Sequence, residues 1–270
     1  MTFNFDKENH FSAIANSYQN LRTTDEEPIA YILENLKSHK NLDIIDLGCG
    51  TGRYDVLLLD ELDDDCRITG VDANQEMLDE FSVNMKLHRH SDFHAVSSTI
   101  EEFPKINSKR YDVVLSFNAL HHFNLGKLLT LISQILSPNG VAFLFTRTRN
   151  QNQRSILGKY FPKFDYYESR LVSLTEMENT ILDTSGIELS EIKVFKYLRK
   201  AKLEELVLQV NNHHYSTFSI YEKEELEESI YDFEQLLRYE FDNSSQISWI
   251  DRNVMFKIVK SRRRFELDNS

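Results

Sequence analysis

The chain is poor in the residues that break, staple or anchor a polypeptide. It holds 8 glycines, 4 prolines and 2 cysteines in 270 residues, so neither a low-complexity linker nor a disulfide framework is built into it. No apolar run approaches the roughly 18 residues of a membrane span. The opening "MTFNFDKENHFS" also lacks the basic-then-apolar order of a secretory leader. No membrane span and a reducing, cytoplasmic location are therefore expected. Basic charge is scarce as well: 31 Lys and Arg face 43 Asp and Glu, a net charge of -12. Such a surface repels a phosphate backbone, and nucleic acid is not expected as a partner. The short run "KSRRR", residues 260–264, reads as a solvated strand end. What is present is a 41% apolar chain with 18 Phe and 12 Tyr, ample for a buried core.

Residues 25–38, "DEEPIAYILENLKS", set Ile29, Ile32, Leu33 and Leu36 on one face behind an Asp that can cap and a Pro in the first turn. This predicts an amphipathic helix. Short apolar runs then alternate with helical patterns: "LDIIDL", "RITGVD", "DFHAVS", "YDVVLSF" and "GVAFLFT" are separated by stretches such as "QEMLDEFSVNM" and "GKLLTLISQIL". That rhythm predicts βαβ units and an α/β fold with a parallel sheet covered on both faces.

After residue 147 the rhythm changes. "RNQNQRSILGKYFPKFDYYESRLVS" has no clear period and predicts a long insertion. "LTEMENTILDTSG" follows as a helix, with Thr175 and Glu178 as the expected capping box and Gly186 as its stop. "ELSEIKVFKYLR" and "QISWIDRNVMFKIVK" read as two further strands. Between them, Leu226, Ile230, Phe233 and Leu237 mark one buried stripe of a helix. Residues 1–147 are thus expected to hold N-terminal helices and a ligand-binding core. Residues 148–270 add a lid insertion, the last helix, the final two strands and a helical insertion that complete the same domain.

The most informative stretch is "DIIDLGCGTGRYD", residues 43–55, where an apolar strand breaks into GxGxG. A glycine turn after the first strand of such a sheet serves a dinucleotide or S-adenosylmethionine. The dinucleotide pattern GxGxxG needs its third glycine at position 53 for close helix packing, but Arg53 stands there and Gly52 comes one residue early. Asp72, about 20 residues on, ends a second strand where a carboxylate can accept from ribose hydroxyls. An NAD-binding reading loses ground accordingly.

With these residues the chain resembles the class I S-adenosylmethionine-dependent methyltransferases, in particular the small-molecule branch that includes quinone-biosynthesis enzymes (methyltransferase type 11). The resemblance covers residues 10–147 through "DIIDLGCGTGRY", "VDANQEML", "SSTIEEFP", "YDVVLSFNALHHF" and "ILSPNGVAFLF", in order. It implies a Rossmann-like, doubly wound, seven-stranded sheet, mostly parallel with an antiparallel final hairpin, and helical insertions after strands five and six. It also implies a set of cofactor-binding residues. Gly48, Cys49 and Gly50 pass under the methionine part, with Asp46 near its amino group. Asp72 holds the ribose, Ala73 and Met77 face the adenosine, and Thr99 and Ile100 line the adenine edge. Asn118 and Ala119 close the pocket near the sulfonium. Tyr18 and Arg22, in "FSAIANSYQNLR", match an aromatic and a basic residue of the family's lead-in helix. Thr99 stands where relatives usually carry an acid, so a hydroxyl, Ser98 or backbone is expected to serve the adenine amino group. Asn139 replaces a turn glycine and is expected to tolerate a left-handed backbone.

Methyl transfer from a sulfonium needs alignment and dehydration more than acid–base chemistry; positioning alone supplies on the order of 7–11 kcal/mol in favourable cases. A base helps when the acceptor must lose a proton. His121 is the catalytic candidate, ahead of its neighbour His122, because the loop after strand four lies where the methyl group should point. His213 and His214 form a second pair with Tyr215, but two histidines make no metal site, and no metal is expected. The cluster Tyr160, Phe161, Phe164, Tyr166 and Tyr167 reads equally as an acceptor-shaping lid or as a satellite core. The expected function is methylation of a small organic acceptor, neutral or cationic given the acidic chain, by a monomer or homodimer. The alternatives are a non-catalytic cofactor-binding scaffold and a tRNA or protein methyltransferase. Against the latter, "NALHHF" replaces the amino-methylating Asn/Asp-Pro-Pro-Tyr/Phe tetrapeptide after strand four.

Overall fold

The structure is a computed structural model that describes residues 24–37, 40–62, 66–212, 215–241 and 246–261. Among these, seven strands form one sheet: β1 (Asp43–Leu47), β2 (Arg67–Asp72), β3 (Phe93–Ser97), β4 (Tyr111–Phe117), β5 (Leu136–Thr146), β6 (Ile187–Ala201) and β7 (Ile247–Lys260). Their order is β3-β2-β1-β4-β5-β7-β6. The first five run parallel, and β7 inserts antiparallel between β5 and β6. This is the doubly wound sheet with a final antiparallel hairpin that the resemblance implies.

β1 and β4 are nearly continuous apolar runs because both of their faces are covered. On one face lie α1 (Glu27–Leu36), α2 (Arg53–Leu59) and α3 (Gln75–Leu87), which contribute Ile32, Leu58 and Phe81 to one apolar cluster. The other face is covered by α4 (Phe103–Ile106) and α5 (Leu125–Ile135), with Phe103 and Ile132 buried in a second cluster. The strand order reverses between β1 and β4, so a crevice opens at the carboxyl ends of these strands, where ligands bind in such sheets.

Three local expectations change. Asp25 does not cap α1, which begins at Glu27 without a side-chain cap. Its carboxylate instead takes two hydrogen bonds from Arg199 Nη2, at 2.6 and 2.8 Å, because a guanidinium is a stronger partner than a helix N–H. After α6 (Arg149–Gln153), α7 (Ile156–Tyr160) and α8 (Phe164–Tyr167), α9 (Leu174–Asp183) is capped by Ser173 and Glu176 rather than by Thr175 and Glu178. Ser173 has the extended backbone a cap requires, whereas Thr175 already lies inside the first turn. Asn139 lies within β5 and is not among the residues with positive φ, so the left-handed turn expected there is absent.

The two insertions fold on each other. α7 and α8, which follow β5, pack against α10 (Leu203–Asn211) and α11 (Lys223–Glu240), which follow β6, to form a satellite core. Phe161 is its centre, with rings of Phe218, Tyr221 and Phe233 at 5.2, 5.7 and 5.2 Å. The aromatic cluster is therefore chiefly a core: Phe161 and Phe164 are buried, while Tyr166 is 76% exposed. Among the described residues no helix is long and apolar enough to cross a membrane.

Candidate active site

β1 runs into a turn whose Gly48, Gly50 and Gly52 have φ of 77°, 54° and 73°, in the left-handed region that only glycine enters freely. The three do different work. A Cβ on Gly48 would lie 2.6 Å from the Ala119 Cβ, and one on Gly52 would lie 2.5 Å from the Phe81 ring. A Cβ on Gly50 would meet nothing within 4 Å, because this glycine faces open space. Gly52 thus packs the turn against α3, the task that position 53 performs in a dinucleotide site.

The turn is tied to β2 through backbone and carboxylate. Gly48 and Cys49 N–H groups donate to the Val71 carbonyl at 2.8 and 3.1 Å. Gly50 N–H donates to Asp72 Oδ2 at 3.0 Å, and Asn74 N–H to Oδ1 at 2.9 Å. Burial raises the Asp72 pKa, and these backbone bonds partly offset it. Asn74 in turn caps α3 by accepting from the Met77 N–H at 2.9 Å.

Above the turn is a cavity of about 250 Å³. Asp46, Gly48, Cys49 and Gly50 form its floor; Asp72, Ala73 and Met77 line the β2 side. Thr99 and Ile100 line the β3 side, and Asn118 and Ala119 the β4 side. The described candidates for the cofactor thus meet on one wall system, whereas Tyr18 and Arg22 lie outside the described residues. The Thr99 hydroxyl is engaged, accepting from the Glu102 N–H at 3.3 Å. Glu101 brings a carboxylate to the same end of the cavity. Burial holds the Cys49 thiol well above its ordinary pKa, so it is no nucleophile.

Sequence reasoning missed Asp55. It sits in the first turn of α2, is 0% exposed and lies within hydrogen-bonding reach of Asp46 on the cavity floor. The available signal was an acid followed by the apolar run "VLLL" on a helix whose inner face must be buried.

A second cavity, of about 230 Å³, lies between the sheet and the satellite core. Ion pairs build its walls: Arg199 with Asp25, and Arg147 Nη2 with Asp251 Oδ2 at 3.0 Å. Asn152 and Phe164 come from the first insertion, and Gln209 and Tyr215 from the second. Asn152 Nδ2, Trp249 Nε1 and Asp251 Oδ1 are buried there with no hydrogen-bond partner among the described residues. His121 lines this second cavity and His122 the first, their rings 4.0 Å apart. The pair follows β4 on a 3₁₀ turn, Leu120–His122, whose three residues per turn send adjacent side chains in different directions. Tyr215 reaches the second cavity, while His213 and His214 lie outside the described residues.

The chain is 34% identical over 135 residues to the malonyl-[acyl-carrier protein] O-methyltransferase of Acetivibrio thermocellus, covering 49% of this chain and 46% of that one. It is 28% identical over 121 residues to the ubiquinone biosynthesis O-methyltransferase of Vibrio atlanticus, covering 44% and 49%. The chain spans about half the length of these curated relatives. Among solved structures, the YcgJ protein of Bacillus subtilis superposes with a TM-score of 0.63 at 15% identity, over 88% of this chain and 100% of that one, a likeness of fold. The profile of a family described as a methyltransferase domain matches residues 38–190, more than half of the chain. With the seven-stranded sheet and the cavity over its glycine turn, this assigns the fold and the family together: the chain belongs to the class I S-adenosylmethionine-dependent methyltransferases.

Proposed function

We propose that the protein transfers a methyl group from S-adenosylmethionine directly to a small organic acceptor, which enters the second cavity. The observation that carries this reading is a shared wall: Arg53, Tyr54 and Asn118 line both cavities. Donor and acceptor would lie on either side of these residues, and transfer needs the acceptor to reach past them to the methyl group. The residues of the first cavity fit the cofactor. The space over Gly50 admits an amino-acid tail, Asp72 stands where a ribose needs an acceptor, and Met77 and Ile100 are apolar walls for a flat base. When bound, S-adenosylmethionine supplies an electrophilic methyl group on a positively charged sulfur.

The chain's own part is to position and to exclude water. Tyr54 stacks on Phe117 at 4.5 Å with an interplanar angle of 11°, which stiffens the wall between the cavities. Asn118 holds a φ of 55° just after β4, a left-handed backbone that Asn adopts more readily than most residues. His121 is the proton acceptor for an acceptor group that must ionise. A cavity of about 230 Å³ walled by both insertions suits a small molecule rather than a macromolecule.

Replacing Gly50 with alanine tests the floor. The new methyl group points into open cavity, and the left-handed backbone costs about 1–2 kcal/mol. Binding of S-adenosylhomocysteine should weaken at least tenfold, on the order of 1.4 kcal/mol, with the cooperative unfolding transition retained; titration calorimetry measures it.

The acceptor class is tested by incubating the protein with methyl-labelled S-adenosylmethionine and, separately, a low-molecular-weight metabolite fraction, total RNA and a protein fraction. Label should enter the first. Label in RNA or protein alone overturns the small-molecule reading, and absence of transfer to all three favours a binding scaffold.

A further inference from the structure

Three carboxylates line the second cavity, and each is already paired with a guanidinium. Both oxygens of Asp25 accept from Arg199 Nη2, at 2.6 and 2.8 Å. Glu168 accepts from Arg170 Nε and Nη2, at 3.1 and 2.8 Å, and from the Thr217 hydroxyl. Asp251 Oδ2 meets Arg147 Nη2 at 3.0 Å and Arg199 Nε at 3.8 Å. The cations on the same walls are Arg53, Arg147, Arg199 and Lys200, and Arg170, bound to Glu168, adds another. Even without Arg53, which also faces the first cavity, they outnumber the carboxylates. The excess charge is that of Lys200, which is exposed and makes no ion pair among the described residues. His121 brings no negative charge to the walls.

The hydrogen bonds are unbalanced in the same sense. Asn152 Nδ2 and Trp249 Nε1 are buried on these walls with no acceptor among the described residues, whereas Asp251 Oδ1 is the single wall oxygen there without a donor. A shift that joined that oxygen to one of the two N–H groups would still leave the other unanswered. The chain-wide charge of -12 points instead to a neutral or cationic acceptor. That charge acts weakly inside the cavity, because exposed charges are screened over about 8 Å at physiological salt. Arg147 and Arg199 stand on the wall itself, with side chains only 15% and 24% exposed. A cation brought beside them would meet like charge where water screens little.

We infer that the acceptor is a small organic anion whose carboxylate or phosphate oxygens are held by Arg147, Arg199 and Lys200, an assignment that rests on the acceptor placement proposed above. These three residues line the second cavity alone, whereas Asn118 also faces the first. The anionic group is therefore anchored away from the shared wall, and the methyl-accepting atom is turned toward Asn118 and His121. A guanidinium serves such an anchor because its planar fork donates to two oxygens at once, even while another of its N–H groups holds a wall carboxylate. Tyr54, Phe164 and Trp249 supply apolar faces for the body of the molecule. The anchor binds only: the methyl group passes from sulfur to an atom at the other end, and no bond to the anionic group changes.

The test sorts a low-molecular-weight metabolite fraction on ion-exchange resins into anionic, neutral and cationic pools, and incubates each with the native protein and methyl-labelled S-adenosylmethionine. Label should enter the anionic pool. Treating that pool with alkaline phosphatase beforehand separates the two sources of charge: labelling that survives comes from a carboxylate, and labelling that is lost comes from a phosphate ester. Lys200→Gln, a change at an exposed side chain, should lower the rate about tenfold at limiting dilution of the anionic pool and less than twofold at saturation, the pattern of lost binding alone. Lys200→Arg should keep the native rate at both. Label that enters the neutral or cationic pool as fast as the anionic one, or a Lys200→Gln rate unchanged at limiting dilution, overturns the anionic assignment. Absence of label from all three pools would instead remove the small-molecule reading on which it rests.

Discussion

Gly52→Val should unfold at a temperature lower by about 4–20 °C, given 2–4 °C per kcal/mol for a domain of this size. Two costs add. The residue holds a φ of 73°, which a β-branched side chain resists by about 1–2 kcal/mol. The new Cβ would also lie 2.5 and 2.9 Å from Phe81 ring atoms and 3.0 Å from the Met85 Cε. Phe81 and Met85 are 0% exposed, so neither ring nor thioether can swing into solvent. Overpacking of this kind costs about 1–3 kcal/mol. Together these are a large share of the roughly 5–15 kcal/mol that holds a domain folded. Thermal unfolding monitored by circular dichroism measures the loss. A transition within 2 °C of the native protein would mean that the turn does not press on α3 as described.

The second large effect belongs to His121. His121→Gln should lower kcat by about 10² to 10⁴, the range for losing a general base, with S-adenosylhomocysteine affinity changed less than twofold. His122→Gln should do the reverse, weakening S-adenosylhomocysteine binding with a smaller effect on kcat. The contrast arises because the 3₁₀ turn after β4 places His121 on the second cavity, proposed for the acceptor, and His122 on the first, proposed for the cofactor. Steady-state rates are to be taken with the first acceptor that turns over. Equal kcat losses in both variants would place the two rings in one site. An unchanged kcat in His121→Gln would show that the acceptor needs no base there.

Much of the core was legible because its signals are local. Apolar runs bounded by turn residues located β1 through β5, and the glycine turn with the strand-end Asp72 marked the crevice before any contact was known. The same local reasoning failed where partners come from far along the chain. Asp25 looked like a helix cap, yet its partner Arg199 is 174 residues away and becomes its neighbour only when β6 joins the sheet. The box at Thr175 and Glu178 has the right spacing, but Ser173 and Glu176 have it too, and only the path of the preceding loop decides between them. The aromatic insertion could not be assigned to lid or core from its own residues. Its burial depends on Phe218, Tyr221 and Phe233, supplied by the other insertion.

The second cavity was invisible for the same reason. Its wall joins Asp25, Arg147, Arg199 and Asp251, which share no sequence pattern. Asp55 was hidden differently: one acid beside an apolar helical run gives no sign of facing a strand-end acid until the turn brings α2 back over β1.

The most direct test is titration of the native protein and Asp72→Ala with S-adenosylhomocysteine, with NADH as the competing ligand. In the native protein the Asp72 carboxylate accepts from Gly50 and Asn74 backbone and lines the cavity, where the proposed site puts the ribose. Removing it strips a sugar acceptor and leaves two N–H groups without their acceptor, each worth about 1–3 kcal/mol. Affinity for S-adenosylhomocysteine should fall by about 100-fold, and NADH should bind neither protein. Equal affinity in the two proteins, or tighter binding of NADH than of S-adenosylhomocysteine, would contradict the placement of the methyl donor over the glycine turn.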